Sequence, residues 1–217
     1  IIVTGAAGFI GSCLVSKLNQ EGYNDIVVVD EFESFEKNKN LENKQIAQKV
    51  HRNEFPEWLG VNHGQVQFVF HLGARTDTTE FNVEIFDKLN FGYSKTVWSL
   101  CVEFGLPLVY ASSAATYGMG EHGYEDSHTI TSKLSPLNPY GESKMKTESF
   151  LQNNSKLNYI ILRYFNVAGA DPQMRSGLIS KKATHLIKIA SEVAVGKRDE
   201  ITIFGEDYPT RDGTAVR

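Results

Sequence analysis

The sequence predicts an α/β fold: a doubly wound parallel sheet wrapped by helices on both faces. Two observations predict it. Apolar runs of strand length alternate with segments of helical periodicity throughout the chain. And the opening stretch, IIVTGAAGFIGSCLV, sets Gly5, Gly8 and Gly11 between a strand run and a helical repeat, the turn that brings bare backbone to the edge of such a sheet.

The elements follow in order. IIVT is a first strand. Ile10, Leu14 and Leu18 recur every fourth residue and mark a helix that Gly22 closes. DIVVVD is a second buried strand. Residues 31–60 are polar and charged and yield no firm element. VQFVFHLGA is a third strand. Phe86, Leu89, Tyr93, Val97, Leu100 and Phe104 repeat at spacings of three and four, which predicts one long helix over 81–104. PLVYASS is a fourth strand, residues 117–139 are turn-rich, and a helix starts near Pro139, a residue suited to a first turn. NYIILRYF is a strand, KKATHLIKIASEVAVGK a helix and ITIF a last short strand. There is no linker or internal repeat. Residues 1–165 are expected to bind a dinucleotide, and 166–217 to begin a substrate-binding region at the sheet's carboxyl edge.

Composition narrows the function. A net charge of -4 with scattered basic residues argues against a nucleic-acid partner. Cys13 and Cys101 lie far apart in predicted helices, without metal-ligand spacing. They read as packing residues of a reducing cytoplasm, and no metal site is expected. No apolar run is long enough to span a membrane. The absent initiator Met and the abrupt close at DGTAVR point to a trimmed chain.

The glycines have a job if a dinucleotide binds. Gly5 allows the tight turn, Gly8 lets a pyrophosphate approach, and Gly11 lets helix and strand pack closely. The helix amino end offers free N–H groups to the anion. Asp30, at the end of the second strand, is placed to accept the ribose hydroxyls. Asp30, Glu31 and Glu33 make the pocket acidic, which favours NAD over NADP, although Lys37 can reach a 2′-phosphate. The competing reading is a tight turn without a ligand.

NPYGESK puts Tyr140 and Lys144 one turn apart on a helix. An ammonium beside a phenol lowers the phenol's pKa, which suits Tyr140 to take a proton from a substrate hydroxyl. YASSAATYG follows a strand, so Ser112 or Ser113 reaches the carboxyl edge of the sheet. Ser113 is the choice for ordering the reacting oxygen, with Thr116 as a helper. Loop capping is the plain alternative for Ser113.

Together TGAAGFIGS, ASSAATYG and NPYGESK resemble the extended short-chain dehydrogenase/reductase family of nucleotide-sugar epimerases and dehydratases, over the whole chain. Ile1 to about Met145, with HLGARTDTTEF and LNPYGESK, is more similar to ADP-L-glycero-D-manno-heptose 6-epimerases. From about Tyr159, LRYFNVAGADPQ and ITIFGEDYPTRDGTAVR are more similar to UDP-glucose 4-epimerases. The resemblance implies a Rossmann-like domain and epimerisation by transient oxidation with tightly held NAD, NADP being the other option. It implies cofactor contacts at Gly5, Gly8, Phe9, Ile10, Gly11, Asp30, Gly73, Ala74, Tyr140 and Lys144. Substrate contacts are implied at Thr78, Ser113, Asn166 and Arg217, with Ser113, Tyr140 and Lys144 as the catalytic set. The substrate would be a nucleotide-diphosphate sugar and the assembly a homodimer, through helix 81–104 and the helix from Tyr140, or a higher homo-oligomer. The family's carboxyl-terminal lobe would be incomplete.

Heptose epimerases carry a lysine-containing loop where this chain has FNVAGADPQMRSG, and Lys181 and Lys182 match no motif. The stretch TDTTE suits the heptose branch; its plain reading is a polar loop capped by Asp77 or Thr79. A heptose 6-epimerase ranks first, a UDP-glucose 4-epimerase second. A dehydratase ranks third, because Ala114 and Ala115 stand where an acidic residue would be wanted. The reading from another class is an inactive NAD-binding fragment or sensor.

Overall fold

A computed structural model of the protein describes residues 1–153, 157–179, 185–203 and 205–214. The chain divides into two compact units, Ile1–Ile179 and Ser180–Arg217. The expected boundary after residue 165 falls inside the first unit.

That unit holds β1 (Ile2–Thr4), α1 (Phe9–Gln20), β2 (Val27–Asp30), α2 (Phe35–Asn38), β3 (Gln48–His51), α3 (Phe55–Asn62) and β4 (Val69–His71). It continues with α4 (Val83–Phe86), α5 (Tyr93–Phe104), β5 (Leu108–Ser113), α6 (Pro139–Asn153) and β6 (Tyr159–Tyr164). The strands form one sheet in the order β3-β2-β1-β4-β5-β6, and every pairing is parallel. The chain winds outward in both directions from β1 and β4, as predicted.

Strand alternation separates two cores. Ile2 and Val29 point to one face, with Phe55 and Leu59 of α3, Trp98 of α5 and Leu151 of α6. Val3 and Val28 point to the other, with Ala6 and with Val15 of α1. Burial on both faces explains why these strands read as unbroken apolar runs.

The structure corrects four expectations. Residues 31–60 contain α2, β3 and α3. β3 is an edge strand in which Val50 alone is fully buried, so it carries no apolar run. The helix over 81–104 begins at Val83 and is interrupted by a π-turn at Asp87–Gly92 between α4 and α5. Ile201–Ile203 of the ITIF stretch lie in no strand and are exposed, and Phe204 lies outside the described residues. In the second unit the helix runs from Leu186 to Ala194 (α7), and residues 181–184 of its predicted start are likewise outside the described residues. Among the described residues no helix is long and apolar enough to cross a membrane.

Candidate active site

The sheet order reverses between β1 and β4, and the loops leaving those strands part there. They meet at Gly5 and Gly73. Gly5 has a φ of +67°, and a Cβ on it would stand 2.7 Å from the Gly73 Cα. Gly11 is tighter still: its Cβ would lie 2.3 Å from the Gly5 carbonyl oxygen. The first and third glycines therefore serve backbone packing. Gly8 is the N-cap of α1 and contributes no side-chain cap. The Ser12 N–H is the first to find a carbonyl, that of Gly8 at 2.9 Å. The amides of Phe9, Ile10 and Gly11 ahead of it remain as donors for an anion.

Asp30 closes β2 and is buried. One carboxylate oxygen accepts the Ala7 N–H at 3.0 Å; the other accepts the Glu31 N–H at 2.9 Å and the Lys37 ammonium at 2.6 Å. Arg52 pairs with Glu31 at 3.2 Å. Two cations thus balance Asp30 and Glu31, two of the three carboxylates that the sequence marks as acidic, and the Lys37 ammonium pairs with Asp30.

A buried histidine fixes the switch point. The Thr4 hydroxyl oxygen accepts the Gly73 N–H at 3.1 Å and shares a hydrogen bond with His71 Nδ1 at 2.7 Å. His71 Nε2 shares another with the Ser94 hydroxyl at 2.8 Å. Burial pushes the His71 pKa down to about 3, with the Lys144 charge adding to the fall. His71 is therefore a neutral spacer between β1, β4 and α5.

The other wall is made by β5 and α6. Ser113 is the last residue of β5; its Oγ accepts the Ala115 N–H at 3.2 Å, so the capping role is real. It also interacts with the Tyr140 phenol. Tyr140 is 9% exposed, and the Lys144 Nζ lies 5.9 Å from its ring centroid. Lys144 is buried and donates to the Ala111 carbonyl at 2.7 Å. Ser113, Tyr140 and Lys144 thus share one corner. The Thr116 hydroxyl, named as a helper, donates to the Ser113 carbonyl at 2.8 Å.

The expected fall of the Tyr140 pKa is not what the structure shows. Burial raises it, and the Ser113 hydroxyl only partly offsets this. The burial that shelters the phenol also strips water from the ammonium, and the Lys144 pKa drops to about 7, with Glu148 opposing the fall. Helical spacing shows neither effect, because both depend on what lies over the helix.

The remaining expected contacts are dispersed. Ala74 follows Gly73 in the β4–α4 loop, half-buried. Thr78 is exposed further along that loop, where the Asp77 carboxylate accepts the Thr79 N–H at 3.0 Å. Asn82, not Asp77 or Thr79, caps α4. Asn166 is exposed just past β6. Arg217, Lys181 and Lys182 lie outside the described residues.

Sequence reasoning misses two asparagines. Asn90 sits fully buried in the π-turn. Its side chain accepts the Arg75 N–H at 2.8 Å and donates to the Arg75 carbonyl and the Ser143 hydroxyl, both at 3.0 Å. It clamps the β4 loop to α6 beside Lys144, and π-turns often mark such sites. Asn40 donates to the Ala7 carbonyl at 3.0 Å and exchanges two bonds with Gly177. It ties the glycine turn to the segment after β6. Asn40 is one of three asparagines in a polar stretch, with nothing in the sequence to single it out.

The NAD dependent epimerase/dehydratase family profile matches residues 1–217. The chain belongs to this family. Other members bear out the assignment. The chain is 44% identical to an ADP-L-glycero-D-manno-heptose-6-epimerase of Nitratidesulfovibrio vulgaris strain Hildenborough, covering 100% of this chain and 66% of that protein. It is 35% identical to a UDP-glucose 4-epimerase of Azospirillum brasilense, covering 100% and 63%. A crystal structure of UDP-glucose 4-epimerase from Brucella ovis in complex with NAD superposes with a TM-score of 0.75 at 28% identity, over 97% of this chain and 65% of that one. The chain spans between 53% and 66% of the length of curated heptose epimerases that it matches.

Proposed function

We propose that this member of the epimerase/dehydratase family is the cofactor-binding and acid–base part of a nucleotide-sugar epimerase, with an ADP-linked heptose as first substrate. One observation carries the reading. The Tyr140 phenol, buried between the Ser113 hydroxyl and Lys144, stands at the carboxyl edge of the same sheet whose switch point carries the uncapped α1. The donors at α1, the close-packed Gly5 and Gly73 and the buried Asp30 fit a dinucleotide. Bound NAD would supply a reversible hydride sink, which inversion by transient oxidation requires.

The residues of the chain manage the proton. Tyr140 takes it from the sugar hydroxyl and returns it. At rest Tyr140 is held as the phenol, and Lys144, near neutrality in pKa, can carry or release its charge. Ser113 orders the oxygen. Thr78, Asn166 and Arg217 are assigned to the substrate, and Phe9, Ile10, Gly73 and Ala74 to the cofactor, within a region 1–165 for the dinucleotide and 166–217 for the sugar nucleotide.

NAD is the first choice of cofactor. The ion pairs of Lys37 and Arg52 with Asp30 and Glu31 make NADP the alternative to be tested. Inversion at C4 of a UDP-hexose is the second reading, supported by the 35% identity to a UDP-glucose 4-epimerase across the whole chain. A homodimer through α5 and α6 and a cytoplasmic site, consistent with free Cys13 and Cys101, complete the proposal.

Native mass spectrometry of the purified chain should show a co-purified dinucleotide and tell NAD from NADP. ADP-heptose and UDP-galactose are then offered in turn. Tyr140→Phe should lower turnover by about 10²–10⁴-fold while leaving the dinucleotide bound. Binding without conversion of either sugar would place the chain with non-catalytic dinucleotide binders instead.

A further inference from the structure

Glu148 lies on α6 one turn beyond Lys144 and is fully buried. A buried carboxylate is strongly disfavoured unless partners surround it. The Ser112 hydroxyl donates to Oε1. Arg163 of β6 donates through Nε to both oxygens at 3.1 and 3.0 Å, and through Nη2 to Oε2 at 2.6 Å. The guanidinium is also held by the Thr131 hydroxyl at 3.0 Å and the Glu125 carbonyl at 3.1 Å, over the Tyr117 ring. Ser112 and Arg163 stand opposite each other in the β5–β6 register. Two strands, one helix and the 125–131 loop meet on this carboxylate.

The position matters because of what Lys144 lacks. Its ammonium is buried, and its hydrogen-bond partner is the neutral Ala111 carbonyl. Tyr140 on α6, Tyr110 on β5 and neutral His71 on β4 also face it. The negative charge opposing its deprotonation comes from Glu148. Facing Glu148 in turn are Arg163, with Asp126 and His128 along the same cleft. Ser112, which binds Glu148, lies between Ala111, which binds Lys144, and Ser113, which meets Tyr140.

We propose that Glu148 is a positioning residue that acts through Lys144: fixed by Ser112 and Arg163, its carboxylate supplies the counter-charge that the buried ammonium needs. The inference rests on reading Lys144 as the partner of Tyr140.

The test is a direct titration of Lys144 in the full chain, by NMR of lysine labelled with ¹³C at Cε. Glu148→Gln keeps the shape and still accepts from Ser112. It should lower the Lys144 midpoint by about one pH unit or more, as loss of a neighbouring opposite charge does. A role confined to packing would leave the midpoint where it is. Should Glu148→Gln fail to fold because Arg163 is left unpaired, Glu148→Gln with Arg163→Met removes both charges, and the midpoint must then fall relative to Arg163→Met alone. An unmoved midpoint in a folded variant overturns the proposal. The titration needs no substrate: a falling midpoint in a chain without turnover would sink the epimerase reading and leave the Glu148 assignment standing.

Discussion

The two walls of the site are built from different material. The cofactor wall, from Gly5 to Asp30, is mostly backbone: amides, a carbonyl and glycines packed too closely for a Cβ. The acid–base wall, from Ala111 to Glu148, is made of buried side chains that carry or shed charge. The first wall should tolerate changes of charge and fail on added volume. The second should tolerate volume better than a change of charge.

The sharpest way to break this comparison is to make one substitution in two helices. In a helix interior, Gly→Ala ordinarily stabilises by about 1 kcal/mol. Gly60 in α3 has nothing within 4 Å of its would-be Cβ, so Gly60→Ala should show that gain. At Gly11 the same methyl would sit 2.3 Å from the Gly5 carbonyl oxygen and 2.9 Å from the Ala6 Cα. Backbone cannot move aside as a side chain can, so the clash wins: Gly11→Ala should destabilise by about 3 kcal/mol and weaken dinucleotide binding. Urea unfolding of both variants, with NAD titration, checks the opposite signs. A stabilised Gly11→Ala would show that the turn relaxes and that the first wall is softer than its geometry.

Buried titratable groups at the switch point and in the second wall should show themselves in pH. His71 folds with a pKa of about 3 against an ordinary 6.5, so below 6.5 the unfolded chain takes a proton that the native state refuses. Its stabilisation is complete above that value and is lost as pH falls toward 3, at about 1.4 kcal/mol per pH unit. Lys144, at about 7 against 10.5, acts in the same sense in a higher window: stability rises with pH between those values. Denaturant midpoints of the wild type, His71→Gln and Lys144→Met across pH 4–10 separate the two. Each variant should flatten its own window. A Lys144→Met curve parallel to the wild type between pH 7 and 10 would mean that the lysine reaches water.

How legible each wall was in the sequence follows from the same difference. Apolar strands and a glycine turn are local signals, so the parallel sheet and the turn at Gly5 can be read directly. β3 escapes because an edge strand with one buried residue, Val50, has no pattern. The π-turn escapes because spacings of three and four continue from Phe86 through Leu89 to Tyr93 and hide the extra residue. Ile201–Ile203 mislead because their composition suits a strand, yet they lie exposed and in none. In the acid–base wall Tyr140, Lys144 and Ser113 are legible as types and order, but their state is not. The sign of the Tyr140 shift depends on burial supplied by distant segments. Glu148 is invisible for the same reason: a glutamate on a helix reads as a solvated face until Arg163 arrives from another strand.

Asn40 joins the cofactor wall to the chain beyond β6 and gives the smallest effect. Its amide spans the Ala7 carbonyl, at 3.0 Å, and the Gly177 carbonyl, at 3.2 Å, while its oxygen accepts the Gly177 N–H at 3.0 Å. Each bond nets about 1 kcal/mol, and their joint loss leaves buried groups without partners. Asn40→Ala should therefore destabilise by about 1–3 kcal/mol, with faster amide exchange at Gly177 before any global change. Asn40→Asp is the sharper probe. A carboxylate can still accept from Gly177 but faces two carbonyl oxygens where the amide donated. If Asn40 works as a donor to both carbonyls, aspartate should be no better than alanine. An aspartate that restores slow exchange at Gly177 would show that only the accepting oxygen matters, and that the glycine turn is not held to the segment after β6 through this side chain.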